Sequence, residues 1–196
     1  MKICKVDGCE SKHKGKGYCG KHYMQIKMYG GILERTIHDR NEIVIKENYA
    51  EIVLYNIKHK EIGRTLISLE DIEKVKKYKW CFDGKGYVIG KIKGKTAFLH
   101  RLLLNPPRDK VIDHINHITI DNRRCNLRVC TREENQMNRK SRGYYWNKLI
   151  KKWQVQIRFN GKRKSIGCFK TEEEAKRARE QAEIKYYKEF RIIKII

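Results

Sequence analysis

Residues 113–135 read DHINHITIDNRRCNLRVCTREEN, and the order of features in this stretch decides the local fold. Val111 and Ile112 lead into Asp113 and His114 as a short apolar strand. A polar loop follows and returns as a second strand, with Leu127 and Val129 on one face. Thr131 and Glu134 then have the spacing of a capping box, which starts a helix. Strand, loop, strand, helix places Asn135 one turn into a helix that can pack across the hairpin. Asp113, His114 and Asn135 can therefore converge, provided the first strand twists or ends at His114, because adjacent residues of a regular strand face opposite ways.

The chemistry of that set is coherent. Asp and Asn oxygens suit a hard cation such as Mg²⁺, which keeps positions open for phosphate oxygens and water. A neutral His114 beside it can take a proton from water as general base. Asn126 ligates nothing in this reading; its amide can tie the loop backbone and hold the His strand rigid. His100, His117, Cys125 and Cys130 read as structural or solvated.

At these residues the chain resembles the HNH nucleases of ββα-metal fold, most closely the homing-type branch found in phage and mobile elements. LHR at 99–101, DH at 113–114, DNRRCNLR at 121–128 and TREEN at 131–135 carry the likeness. It is close over 100–140 and looser over 41–99. The resemblance implies His114 as general base, Asp113 and Asn135 as ligands of a divalent ion, and a structural role for Asn126.

The rest of the sequence supplies context. There are 46 Lys+Arg against 23 Asp+Glu, a formal charge of +23. So large an excess repels itself and points to a polyanionic partner, nucleic acid first and an anionic membrane surface second. No apolar run reaches the roughly 18–20 residues that span a bilayer, and the start lacks a signal peptide's apolar stretch. The expectation is a soluble, cytoplasmic protein. Seven cysteines, an odd number, favour metal ligation and free thiols over disulfides. Three segments are predicted, 1–40, 41–138 and 139–196, with joints near GGILERTIHDRN and NRKSRG. The last segment holds 18 Lys+Arg and 6 acids, about half of the net excess.

In the first segment Cys4, Cys9, Cys19 and His22 form C-x4-C-x9-C-x2-H, a spacing suited to tetrahedral Zn²⁺. The polar, Gly-rich insert has no core of its own, so a metal would supply its folding free energy. His13 is a possible substitute ligand. Between 41 and 98 the pattern predicts supporting strands, a helix N-capped by Ser68 with Ile72, Val75 and Tyr78 at helical spacing, and a hairpin turning near Gly94. A short helix follows, stopped by Pro106 and Pro107.

From Arg142 to Lys170 there are nine Lys+Arg, no acid and six interleaved aromatics. WQVQIRF alternates strictly, and Asn160-Gly161 makes a two-residue hairpin turn. Gln154, Gln156, Arg158, Arg163 and Ser165 then share a polar face, with Arg158 opposite Arg163 and Gln156 opposite Ser165. Thr171 and Glu174 cap a helix whose Ala175, Ala178, Ala182 and Tyr186 pack on the apolar face. This segment resembles the Apetala-two type DNA-binding domain of plant ethylene-response factors. That likeness implies DNA contacts from Arg142, Tyr145, Lys148, Gln156, Arg158, Arg163 and Ser165. Tyr145 and Ser165 stand where plant members have Arg and Trp, so target sequence does not transfer.

The sequence thus predicts a small multidomain α+β protein: a zinc knuckle, an HNH nuclease domain with its core motif at 100–138, and a three-stranded antiparallel sheet with one helix. The expected function is a site-specific or homing-type endonuclease acting on double-stranded DNA, with no membrane or small-molecule partner. The alternatives are a DNA-binding regulator with an inactive centre and an RNA-binding protein.

Overall fold

The computed structural model describes residues 2–33, 35, 39–139 and 141–191. Parts of both expected joints, Glu34, Thr36–His38 and Lys140, lie outside the described residues. The chain divides into two compact units. The first is Met1–Asp39 with Ile57–Lys60; the second is Arg40–Asn56 with Glu61–Ile196, so the middle and last sequence segments share one unit. The fold is mixed α and β, with several small sheets and short helices.

The first unit holds two isolated bridges, Ile3 to Lys12 and Gly15 to Tyr18, and helix α1 (Gly20–Tyr29). Gly30 ends α1 with φ +75°, a left-handed conformation that glycine adopts without a Cβ penalty.

The second unit opens with β1 (Ile43–Ile45), β2 (Ala50–Tyr55) and β3 (Glu61–Ile67), joined antiparallel. Ala50, Ile52 and Leu54 of β2 are fully buried. The helix expected from Ser68 to Tyr78 is much shorter. A 3₁₀ turn at Leu69–Asp71 leads into α2 (Ile72–Val75), and the Ser68 side chain does not cap it. Ser68 Oγ instead accepts the Arg124 amide at 2.9 Å, and Asp71 pairs with the Arg124 guanidinium at 2.8 Å. Tertiary bonds have taken the groups that local spacing assigned to the helix.

Strands β4 (Trp80–Phe82), β5 (Val88–Ile92) and β6 (Lys95–Phe98) form an antiparallel sheet, followed by α3 (Leu99–Leu104). The helix ends at Leu104 with Asn105 in the left-handed conformation, φ +44°, directly before Pro106, which cannot continue a helix. Trp80, Val88, Leu99 and Leu103 meet Ile52, Ile67 and Val75 in one core. Trp80 is 1% exposed, and its indole N–H donates to the Val75 carbonyl at 3.0 Å.

Next come β7 (Val111–His114), β8 (Asp121–Asn122), β9 (Leu127–Cys130) and α4 (Arg132–Met137). β7 pairs antiparallel with β9, whereas β8 adds in parallel to β3. Leu127 is buried but Val129 is 42% exposed, so only the first packs inward. The chain closes with β10 (Tyr144–Asn147), β11 (Lys152–Phe159), β12 (Lys162–Phe169) and α5 (Glu172–Tyr187). Capping boxes start both α4 and α5.

Gly90 lies against Trp80, where a Cβ would stand 2.7 Å from the Lys79 carbonyl and 2.8 Å from the Trp80 ring. Neither neighbour is a flexible side-chain end. Gly90→Ala is expected to destabilise the second unit by about 1–3 kcal/mol, the usual cost of overpacking, measured by urea denaturation.

Candidate active site and metal cluster

A hydrogen-bond chain fixes the ring of His114. Thr65 Oγ1 donates its one proton to the Ile120 carbonyl at 2.7 Å, so it accepts from Asn122 Nδ2 at 2.8 Å. Asn122 must then present Oδ1 to His114 Nε2, 3.3 Å away. That polarity puts the proton of a neutral His114 on Nε2 and leaves the Nδ1 lone pair free. Tyr87 and His100 pack beside the ring, the His100 centroid at 5.3 Å and nearly perpendicular. Burial lowers the His114 pKa, with the Asn122 hydrogen bond acting the other way. Burial also pushes His100 down to about 4, the charges of His114 and Arg101 adding to it. Both rings are therefore neutral at pH 7.

Strand β7 ends at His114, and the loop leaves it bound to Asn126: the Ile115 amide donates to the Asn126 carbonyl at 2.9 Å. The Asn126 amide spans the same loop, accepting the Asn116 N–H at 2.9 Å and donating to the Asp121 carbonyl at 2.8 Å. Asp113 and His114 do face different neighbours. Asp113 Oδ2 accepts from Arg128 Nε and Nη2 at 2.9 and 2.6 Å, while Asn138 Nδ2 lies 3.1 and 3.0 Å from its two oxygens. Both nevertheless line one cavity of about 660 Å³, with His117, Arg132, Asn135, Asn138 and Arg139.

Asn135 lines this cavity but is not the amide that reaches Asp113; Asn138, three residues on, is. The sequence reading passed over Asn138, Asn122 and Arg128. The i to i+3 spacing from Asn135 was the available signal, since it puts Asn138 on the same helical face. Asn138 Oδ1 is buried without a partner, as is His117 Nε2. A buried amide oxygen left unpaired costs about 1–3 kcal/mol. Asp113, Asn135 and Asn138 line the same cavity, and their oxygens are of the hard type that suits Mg²⁺ or a similar divalent ion. Cys130 is buried beside β7 and its thiol is pushed up to about 11 by burial, so it is no nucleophile.

Arg128 has a second set of contacts. Its Nη1 donates to the Glu189 carbonyl, and its guanidinium lies 4.7 Å over the Phe190 ring. The end of the last segment thus grips the arginine that grips Asp113.

In the first unit Cys4, Cys9, Cys19 and His22 bring their ligand atoms within 4.8 Å of one another, and the cluster could hold a metal ion. Cys4 Sγ is 3.2 Å from His22 Nδ1, and Cys19 Sγ 3.5 Å. His13 is not part of it: its Nε2 accepts the Gly17 amide at 2.7 Å.

On the β10–β12 sheet, Gln156 stands opposite Ser165 and Arg158 opposite Arg163. Asn160 and Gly161 both have positive φ, 52° and 72°, as a type I′ turn requires. Ile166 is an extra residue of β12, bulged opposite Val155/Gln156. Tyr145 joins the two glutamines, donating to Gln154 Oε1 at 2.9 Å and accepting from Gln156 Nε2 at 3.3 Å. Arg142 is turned to Glu172 at 3.1 Å, an exposed pair that competes little with a ligand. Lys148 lies in the exposed β10–β11 turn. Val155 and Ile157 are buried on the opposite face, where α5 packs with Ala175 and Ala182.

Comparison with known proteins points to one family. Residues 105–137 match the HNH endonuclease family. A protein of Acanthamoeba polyphaga mimivirus, named as an uncharacterized HNH endonuclease, is 33% identical over 78 residues, 37% of this chain and 42% of that relative. The chain therefore spans less than half the length of the relative it matches. No solved structure matches the chain. The family segment contains Asp113, His114, Asn126 and Asn135, and it ends one residue before Asn138.

Removing one partner of the Asp113–Arg128 pair strands the other. The side chains are 7% and 15% exposed. Arg128→Met is expected to cost about 2–3 kcal/mol, somewhat below a fully buried pair. Asp113→Asn with Arg128→Met should cost less than the sum of the single changes. Denaturation of the four chains of this double-mutant cycle measures the difference.

Proposed function

We propose that the chain is a metal-dependent endonuclease that hydrolyses phosphodiester bonds in double-stranded DNA, of the homing or otherwise site-specific type. The observation carrying this reading is the cavity where Asp113, His114, Asn135 and Asn138 meet within and beside the HNH-like segment. Asp113 and the helix amides would hold the divalent ion. When bound, that ion supplies a Lewis acid for the phosphate and the leaving oxygen. His114, protonated on Nε2 and anchored by Asn122, takes a proton from the attacking water at Nδ1. Asn126 keeps the loop that carries it in place.

The other two parts grip the substrate. The Cys4, Cys9, Cys19, His22 cluster is read as a zinc knuckle. The last segment is read as an Apetala-two type domain. It presents Gln154, Gln156, Arg158, Arg163 and Ser165 to a groove, with Arg142, Tyr145 and Lys148 beside them. Gln and Arg make paired hydrogen bonds to adenine and guanine edges. A net charge of +23 suits a polyanion. One observation favours the regulator reading: Asp113 is engaged by Arg128, which competes for a metal ligand. No described helix is long and apolar enough to cross a membrane.

Incubation with supercoiled plasmid and Mg²⁺ should give nicked or linear product, abolished by chelator. His114→Ala should slow cutting by roughly 10²–10⁴-fold while DNA affinity stays near wild type, because the base acts in the chemical step. Cutting by His114→Ala at the unmutated rate would remove that assignment, and absence of cutting by the wild type would leave the regulator.

Elemental analysis should find one zinc per chain, lost in Cys4→Ser with Cys19→Ser. A zinc-free wild-type protein would remove the knuckle without touching the nuclease reading.

A further inference from the structure

A second cavity, of about 590 Å³, adjoins the first; of its lining, only Gln156, Arg158 and Arg163 on the sheet side have a role above. Its walls come from α4 on one side and from the β11–β12 hairpin on the other, with Arg179 and Tyr187 of α5. It opens where β10 stops: β10 pairs with β11 only as far as Tyr144 and Val155, while β11 runs on to Phe159. Gln136 and Arg139 line both cavities, so the space around Asp113 and His114 continues into this one. Arg139, Arg158 and Arg163 on its walls are exposed and have no ion-pair partner among the described residues. Arg179 is buried and already committed to Glu183 and to the Gln156 carbonyl. Glu133 is the one carboxylate among the described lining residues, and it does not line the first cavity.

We propose that this cavity is a sugar–phosphate subsite, taking a short run of one DNA strand as it leaves the cavity of Asp113 and His114. The inference rests on the endonuclease reading. A single strand carries one charge per about 3.4 Å of helix axis. A strand entering the first cavity must therefore place further phosphates within a nucleotide or two, and the unpaired guanidinium of Arg139, which takes no part in the base-edge contacts proposed above, is what neutralises the nearest of them. The volume is that of a small-molecule pocket, so it admits backbone from one strand and not a duplex. Arg139, common to both spaces, is the guanidinium around which the strand turns.

The test uses the full chain carrying His114→Ala, an end-labelled 30-base-pair duplex of mixed sequence, and fluorescence anisotropy over a salt series. Arg139→Gln should weaken binding and reduce the magnitude of the log–log salt slope by about 0.9, one phosphate contact. Glu133→Gln should act in the opposite direction, tightening binding roughly two- to fivefold, the range for one exposed charge interaction. Lys93→Gln, in the β5–β6 turn outside both cavities, serves as the charge control and should leave the slope unchanged. Thermal melts confirm that each variant folds. An unchanged slope in Arg139→Gln, an equal loss in Lys93→Gln, or no tightening in Glu133→Gln overturns the subsite. Plasmid nicking by the His114-containing chain is read in parallel. If it nicks while the groove variants bind like wild type, the subsite fails alone. If it never nicks while they shift as stated, the endonuclease reading fails and the cavity stands as a backbone-binding groove.

Discussion

The parallel pairing of β8 with β3 is the constraint on which the candidate site depends. Only Leu66 with Asp121 and Ile67 with Asn122 are in register, yet this pairing holds the middle of a long polar loop to a buried sheet. Thr65, fully buried, then reaches Asn122, and Asn122 reaches His114. A loop free of that pairing would leave the His114 ring to rotate. Fixed, it has a defined tautomer and a defined free nitrogen, the property a general base needs before any pKa argument matters. Arg123 on Asp121 and Arg124 on Asp71 reinforce the same attachment at 2.7 and 2.8 Å.

Asp113 is held by a different logic. Its partners are a cation and an amide that come from two later elements, β9 and the end of α4. Arg128 neutralises the buried carboxylate, which would otherwise bear a desolvation penalty of several kcal/mol. A divalent ion would offer the same neutralisation. The carboxylate is thus held and aimed in the protein as described, with Arg128 a competitor for its oxygen. Phe190 and the Glu189 carbonyl hold the other side of that guanidinium, so the geometry of Asp113 depends on where the last helix ends.

What was legible in the sequence was local. The capping boxes at Thr131 and Thr171, the Asn160-Gly161 turn and the alternation of β11 each need only a few neighbouring residues to form, and each is present. What was not legible depended on distant chain. Ser68 looked like an N-cap until Arg124, 56 residues away, claimed its hydroxyl. Asn122 looked like a loop residue because nothing nearby reveals that residue 65 lies beneath it. Cys4, Cys9, Cys19 and His22 were legible despite the gap between pairs, because ligand chemistry restricts which residue types recur at such spacing. Asn138 was missed for a smaller reason: the reading stopped at the first helical amide.

Helix α4 shows how these levels meet. At six residues it is far below the length at which a helix holds itself in water, so its persistence must come from its cap and its packing. One face carries Asn135, with Asn138 just past its end, toward Asp113 and His114. Met137 packs instead against Ile157, Ala182 and Tyr187 of the last segment. The same short element therefore supplies amides to the candidate centre and a side chain to the core beneath the basic sheet. Because neither packing alone would hold it, displacement of the sheet against α4 must move the amides as well. The place of the sheet against α4 and the geometry of the candidate centre therefore share one short helix, which lines the cavity with Asn135 and packs on the last segment through Met137.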